Sequence, residues 1–141
     1  MDKQATCQER IKSEFQNTME TLTALWELYQ DDPEAYHDDY GNFEEYGLAF
    51  DYVGPETFND QEEGYFRYQL SWGGPSDEFR FYANKGQYNN FIPYRIEYWF
   101  LDWFDGASLT LYGDDKKLLT EIFGWFDDCM ATHSEYEKWF E

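Results

Sequence analysis

An α+β fold is what this sequence predicts: an antiparallel sheet of about five strands in a meander, with N-terminal and C-terminal helices packed on one face. Three observations lead there. Apolar residues recur at steps of three and four near both ends of the chain and at steps of two through the middle, the periods of helix and strand. Aromatic residues make up 23% of the chain, where disordered acidic chains have few, so a core forms despite the charge. And 141 residues with no repeat or linker fit one domain, 1–141, long enough to bury a core without disulfides or metals.

The first helix is expected from about residue 7 to 30. Thr6 and Glu9 have the spacing of a capping box. Ile11, Phe15, Met19, Leu22, Leu25, Trp26 and Tyr29 then form one apolar stripe. Asp31 and Asp32 before Pro33 predict a second, short helix to about Tyr40, closed by Gly41, with a further turn through Phe43 to Tyr46.

The strands follow by alternation. Leu48, Phe50 and Tyr52 alternate with Ala49, Asp51 and Val53. Phe66, Tyr68, Leu70 and Trp72 alternate with Arg67, Gln69 and Ser71. Phe79 and Phe81 alternate with Glu78 and Arg80, and Tyr94, Ile96, Tyr98 and Phe100 with Arg95, Glu97 and Trp99. Leu109 and Leu111 mark a last short strand. Such alternation predicts one packed and one wet face. Gly73-Gly74-Pro75 and Asp105-Gly106 supply turn chemistry, and Lys85 to Asn90 a longer polar loop. A C-terminal helix is expected after Gly113, capped by Asp114. Its stripe is Leu118, Leu119, Ile122, Phe123, Phe126, Cys129 and Met130, continued by Tyr136, Trp139 and Phe140. Gly124 inside it suggests close packing.

Charge is the most informative feature. Thirty acids against ten bases give −20, a self-repulsion that folding must place on the surface or against a basic partner. From residue 13 to residue 66 there is no Lys or Arg, and that segment carries 15 of the 30 acids. Ordinary solvated faces mix both signs. The candidate partner-binding residues are therefore Glu20, Glu27, Asp31, Asp32, Glu34, Asp38, Asp39, Glu44 and Glu45, with Glu56, Asp60, Glu62 and Glu63 in the loop between the first two strands. Such a surface repels nucleic acid and anionic lipid, so direct nucleic-acid or membrane binding is not expected. A plain solubility role for the acids is the bland alternative.

Chemistry is otherwise sparse. Cys7 and Cys129 form no metal-ligand spacing and read as reduced thiols. The two histidines, His37 and His133, accompany no nucleophile motif, and no phosphate loop or calcium loop occurs. The YGDD at Tyr112 to Asp115 reads as a helix cap. No catalytic residue, metal or cofactor is assigned, and the protein is read as not an enzyme. No stretch approaches 18 apolar residues and no signal peptide opens the chain, which predicts a cytoplasmic protein. Arg67, Arg80 and Arg95 alternate out of the apolar face with Asp51, Glu78 and Glu97 and are expected to form cross-strand ion pairs. The alternative function is a protein–protein interaction module on that face, using those arginines with Tyr82 and Trp99; Tyr65 lies nearby.

In size, net charge, base-free acidic block and aromatic-rich α+β core, the chain resembles the acidic DNA-mimic inhibitors made by phages and plasmids, including anti-restriction and anti-CRISPR proteins. The stretches EEGYFRYQLSWGGPSDEFRFY (Glu62 to Tyr82) and RIEYWFLDWFDG (Arg95 to Gly106) also resemble small uncharacterised proteins of bacterial mobile elements. The resemblance covers overall character rather than a motif, so neither a fold nor a binding residue carries over. It implies an inhibitor in the cytoplasm of a host bacterium. Its partner would be a basic nucleic-acid-binding protein or ribonucleoprotein complex of the CRISPR-Cas or restriction type. A homodimer would lengthen the mimicked duplex, but nothing in the sequence demands one.

Overall fold

A computed structural model describes residues 6–58, 60–73 and 75–140. Helix α1 spans Cys7–Asp31. The Thr6 hydroxyl accepts from the Glu9 amide, the N-cap half of the expected box, and donates to the Glu9 carboxylate. Ile11, Leu22 and Leu25 on its apolar stripe are buried. The chain then turns into the short helix α2, Phe43–Tyr46.

Five strands follow: β1 Ala49–Val53, β2 Tyr65–Ser71, β3 Ser76–Lys85, β4 Phe91–Asp102 and β5 Asp105–Thr110. They pair antiparallel in the order β1-β2-β3-β4-β5, the meander read from the alternation. Helix α3, Gly113–Asp128, and helix α4, Ala131–Trp139, close the chain. Phe66, Tyr68, Phe79, Phe81, Ile96, Tyr98 and Phe100 from the sheet form one buried cluster with the stripe of α1 and with Leu119, Ile122 and Phe123 of α3. Half of its buried members are aromatic, which yields large buried area per residue and interlocking rings.

Several expectations are corrected. Residues 33–40 form turns rather than a helix, and a bridge joins His37 to Gly41. The segment has no apolar stripe to bury, and a short helix without one is marginal. Asn42 holds the turns instead: its amide donates to the Pro33 and Ala35 carbonyls and its side-chain oxygen caps α2 at the Glu44 amide. Gly41, with φ +83°, serves this turn.

The last hairpin turns at Trp103–Phe104, not at Asp105-Gly106. Asp105 is held in the ladder opposite Asp102, and its carboxylate accepts the Cys7 amide at 2.8 Å, one of the unpaired donors at the start of α1. Of the other expected turn, Gly74 lies outside the described residues. The C-terminal helix is two helices, because Met130 adopts a left-handed φ of +66°. Asp127 fixes that corner by accepting from the Phe91 amide and the Thr132 hydroxyl, which lets Tyr136 of α4 pack on Tyr52 of β1. Asp114 is not the cap of α3. Tyr112 holds that position without a side-chain bond, and Asp114 and Asp115 lie in the first turn. A Cβ on Gly124 would meet nothing within 4 Å, so this glycine serves no close packing. Leu48, Trp72 and Tyr94, assigned to the apolar face by alternation, are exposed.

Candidate functional site

All thirteen candidate acids are exposed, and the fold sorts them into two groups. Glu20, Glu27 and Asp31 lie on one stripe of α1. Steps of seven and four residues return to within about 40° of the same direction, at spacings of ~10.5 and ~6 Å along the axis. Asp32, Glu34, Asp38 and Asp39 follow in the turns, where Asp32 accepts from the Glu34 amide at 3.0 Å. Glu44 and Glu45 open α2, which packs on the end of α1 through Phe43 against Trp26 and Tyr29. Asp31, Asp32, Glu34, Asp38, Asp39, Glu44 and Glu45 make an acidic corner where α1 ends, and Glu20 and Glu27 run back from it along α1. Glu56, Asp60, Glu62 and Glu63 lie beyond the far end of β1. That strand of five residues separates them from α2 by ~17 Å. The Glu56 to Glu63 loop is thus set apart from α2 by the length of β1.

Few of these charges are compensated. Of the thirteen, only Glu63 forms an ion pair among the described residues, 2.6 Å from Arg95. Hydrogen bonds from Tyr94 and Arg95 hold its carboxyl below the usual range. The base-free block is not wholly without partners, because Asp51 within it pairs with Arg67 at 2.7 Å. Two acids of the corner accept from phenols: Glu44 from Tyr29 at 2.9 Å and Glu45 from Tyr36 at 2.7 Å. Burial, and then the bond to Glu44, pushes the Tyr29 hydroxyl up from its ordinary value.

The second face of the sheet is not the wet face that alternation suggests. Val53, Tyr65 and Tyr82 form a small buried cluster there, and Glu78 is only 4% exposed. Burial pushes Tyr65 up to about 12. The arginines are spent inside this layer. Arg67 binds Asp51 across the β1–β2 ladder as expected, whereas Arg80 binds Glu78 on its own strand at 2.8 Å. Arg80 also lies 3.9 Å from the Trp99 ring centroid and 4.7 Å from that of Tyr65, and Arg95 lies 3.9 Å from that of Tyr82.

Sequence reasoning missed the aromatic side of the acidic corner. Trp125 of α3 donates its indole N–H to the Tyr29 hydroxyl at 3.2 Å, and Tyr29 in turn donates to Glu44. The partners of the first bond are 96 residues apart, and no local pattern signals it.

Among the described residues no group of three or more His, Cys, Asp or Glu side chains is placed to hold a metal ion. No helix among them is long and apolar enough to cross a membrane. Comparison of the chain with known protein families, with curated proteins and with solved structures gives no match.

Proposed function

We propose that the protein is a nucleic-acid-mimicking inhibitor. Its acidic corner occupies the basic nucleic-acid-binding surface of a host defence complex, a CRISPR-Cas assembly or a restriction enzyme, in the cytoplasm of a bacterium. The observation that carries this reading is the uncompensated charge: every acid of the corner is exposed, and none forms an ion pair among the described residues. Ordinary soluble surfaces intersperse both signs, and this one does not. The α1 spacings of ~6 and ~10.5 Å correspond to about two and three phosphate steps of ~3.4 Å along one DNA strand. Carboxylates so placed draw a basic cleft to them by long-range steering.

The alternative, an interaction module on the second sheet face, is less favoured because Arg67, Arg80 and Arg95 are already engaged by acids of this chain. The test is capture of the partner from a bacterial lysate by the immobilised protein, with and without competing duplex DNA and over a range of salt. DNA should displace the partner, and capture should weaken steeply with salt. A partner that DNA leaves in place rules out mimicry. Loss of capture on Trp99→Ala, with Asp38→Lys and Glu34→Lys harmless, would transfer the site to the sheet face.

A further inference from the structure

Next to the acidic corner, α2, the start of β1 and α3 enclose a recess of about 130 Å³. Phe43, Tyr68 and Phe126 are its buried members, Trp125 is half-buried, and Leu48 and Glu44 are exposed. The aromatic walls interlock edge to face: Phe43 on Trp125 at 5.2 Å, Trp125 on Phe126 at 5.0 Å and Tyr68 on Phe126 at 5.1 Å between centroids. The hydrogen-bonded relay from Trp125 through Tyr29 to Glu44 fixes the indole and the carboxylate relative to each other. The recess is therefore apolar within, anionic at its mouth and built before any partner arrives.

We infer that this recess takes one arginine side chain of the basic partner. The inference rests on the function proposed above and names the chemistry of the contact. An apolar cavity of ~150 Å³ holds a benzene ring, so a planar guanidinium is of the right size. Aromatic walls attract a cation, and arginine suits them better than lysine: its guanidinium is flat, delocalised and weakly hydrated, while an ammonium is compact and keeps its water. The Glu44 carboxylate supplies a charge-assisted hydrogen bond at the mouth. An apolar side chain in the same place would strip water from that carboxylate without replacing it. The unpaired acids of the corner draw a basic surface toward this part of the molecule. A second copy of this chain is disfavoured as occupant by the net charge of −20.

The experiment uses two peptides of equal charge, a heptalysine amide and the same peptide with its central lysine replaced by arginine. Each is titrated at low salt into the whole protein, with the Trp125 indole N–H followed by NMR. The arginine peptide is expected to bind about fivefold more tightly, the ratio that one cation–π contact of ordinary strength produces. It alone should move the Trp125 signal strongly. Glu44, exposed at the mouth, supplies the carboxylate that holds a guanidinium against the rings. Glu44→Gln keeps an acceptor for Tyr29 but loses that charge-assisted bond, so in it the ratio should fall below about twofold. The long-range part of the lost charge is felt by both peptides and cancels in the ratio. Equal binding of the two peptides to the parent overturns the arginine recess and leaves the acidic surface standing. So does a ratio that Glu44→Gln leaves unchanged. If neither peptide binds at low salt, the acidic surface falls together with the recess.

Discussion

Replacing Glu27 and Asp31 by glutamine is expected to stabilise the protein at low salt, although it removes two charges from the proposed binding surface. Helix α1 ends at Asp31 and has no basic residue in its last turn, where the helix dipole presents about half a negative charge. An acid there costs about 0.3–1 kcal/mol. Glu27 and Asp31 are also four residues apart, a like-charge pair that costs about 0.2–0.5 kcal/mol. Both are exposed, and neither is ion-paired among the described residues. Asp32, which receives the Glu34 amide, stays intact. The expected gain is about 1 kcal/mol at ~10 mM salt, where the Debye length is ~30 Å, and less at ~150 mM, where it is ~8 Å. Urea adds no ions, so urea unfolding measures the effect at either salt concentration. With a slope of ~1–3 kcal/mol/M the midpoint should rise by about 0.3–1 M. The same variant should capture the partner less well. A lower midpoint at ~10 mM salt would mean that these acids support the fold. The argument that the corner is surplus to folding would then fail.

Three further outcomes follow from the structure. Gly124→Ala, in the interior of α3 with open space around the new Cβ, should raise stability by up to ~1 kcal/mol in the same urea assay. Arg80→Ala leaves the buried Glu78 carboxylate without its partner and should cost about 3–5 kcal/mol, part of which Glu78→Gln in the same chain should restore. A loss below ~1 kcal/mol would show that this pair does not organise the second face. Glu63 has its carboxyl lowered from the ordinary 4.5 by Tyr94 and Arg95, so folding favours its ionised form. That contribution is complete above pH 4.5 and is lost as pH falls through the lowered value. An NMR titration should show the Glu63 midpoint rising toward 4.5 in Tyr94→Phe, and an unchanged midpoint would remove the phenol as its cause.

What the sequence by itself determined was whatever depends on neighbours along the chain. The Thr6 cap, the α1 stripe and the order of five alternating strands rest on spacings of two to four residues, and burial of one apolar face enforces them. The exposure of the acids was equally legible, because an unpaired carboxylate is too costly to bury. Tertiary structure decided the rest, through groups far apart in sequence. Asn42 reaching Pro33 and Ala35, 9 and 7 residues back, made turns where a cap sequence promised a helix. Asp105, engaged by Cys7 across 98 residues, moved the last hairpin onto Trp103. Arg80 and Arg95, stacked on Tyr65, Trp99 and Tyr82, filled a sheet face that alternation marked as wet. The length of β1 set the Glu56 to Glu63 loop apart from α2, and Trp125, bonded through Tyr29 to Glu44, put an aromatic recess beside α2. Charge composition shows only where acids outnumber bases, whereas packing alone brings the Trp125 and Phe126 rings beside Glu44.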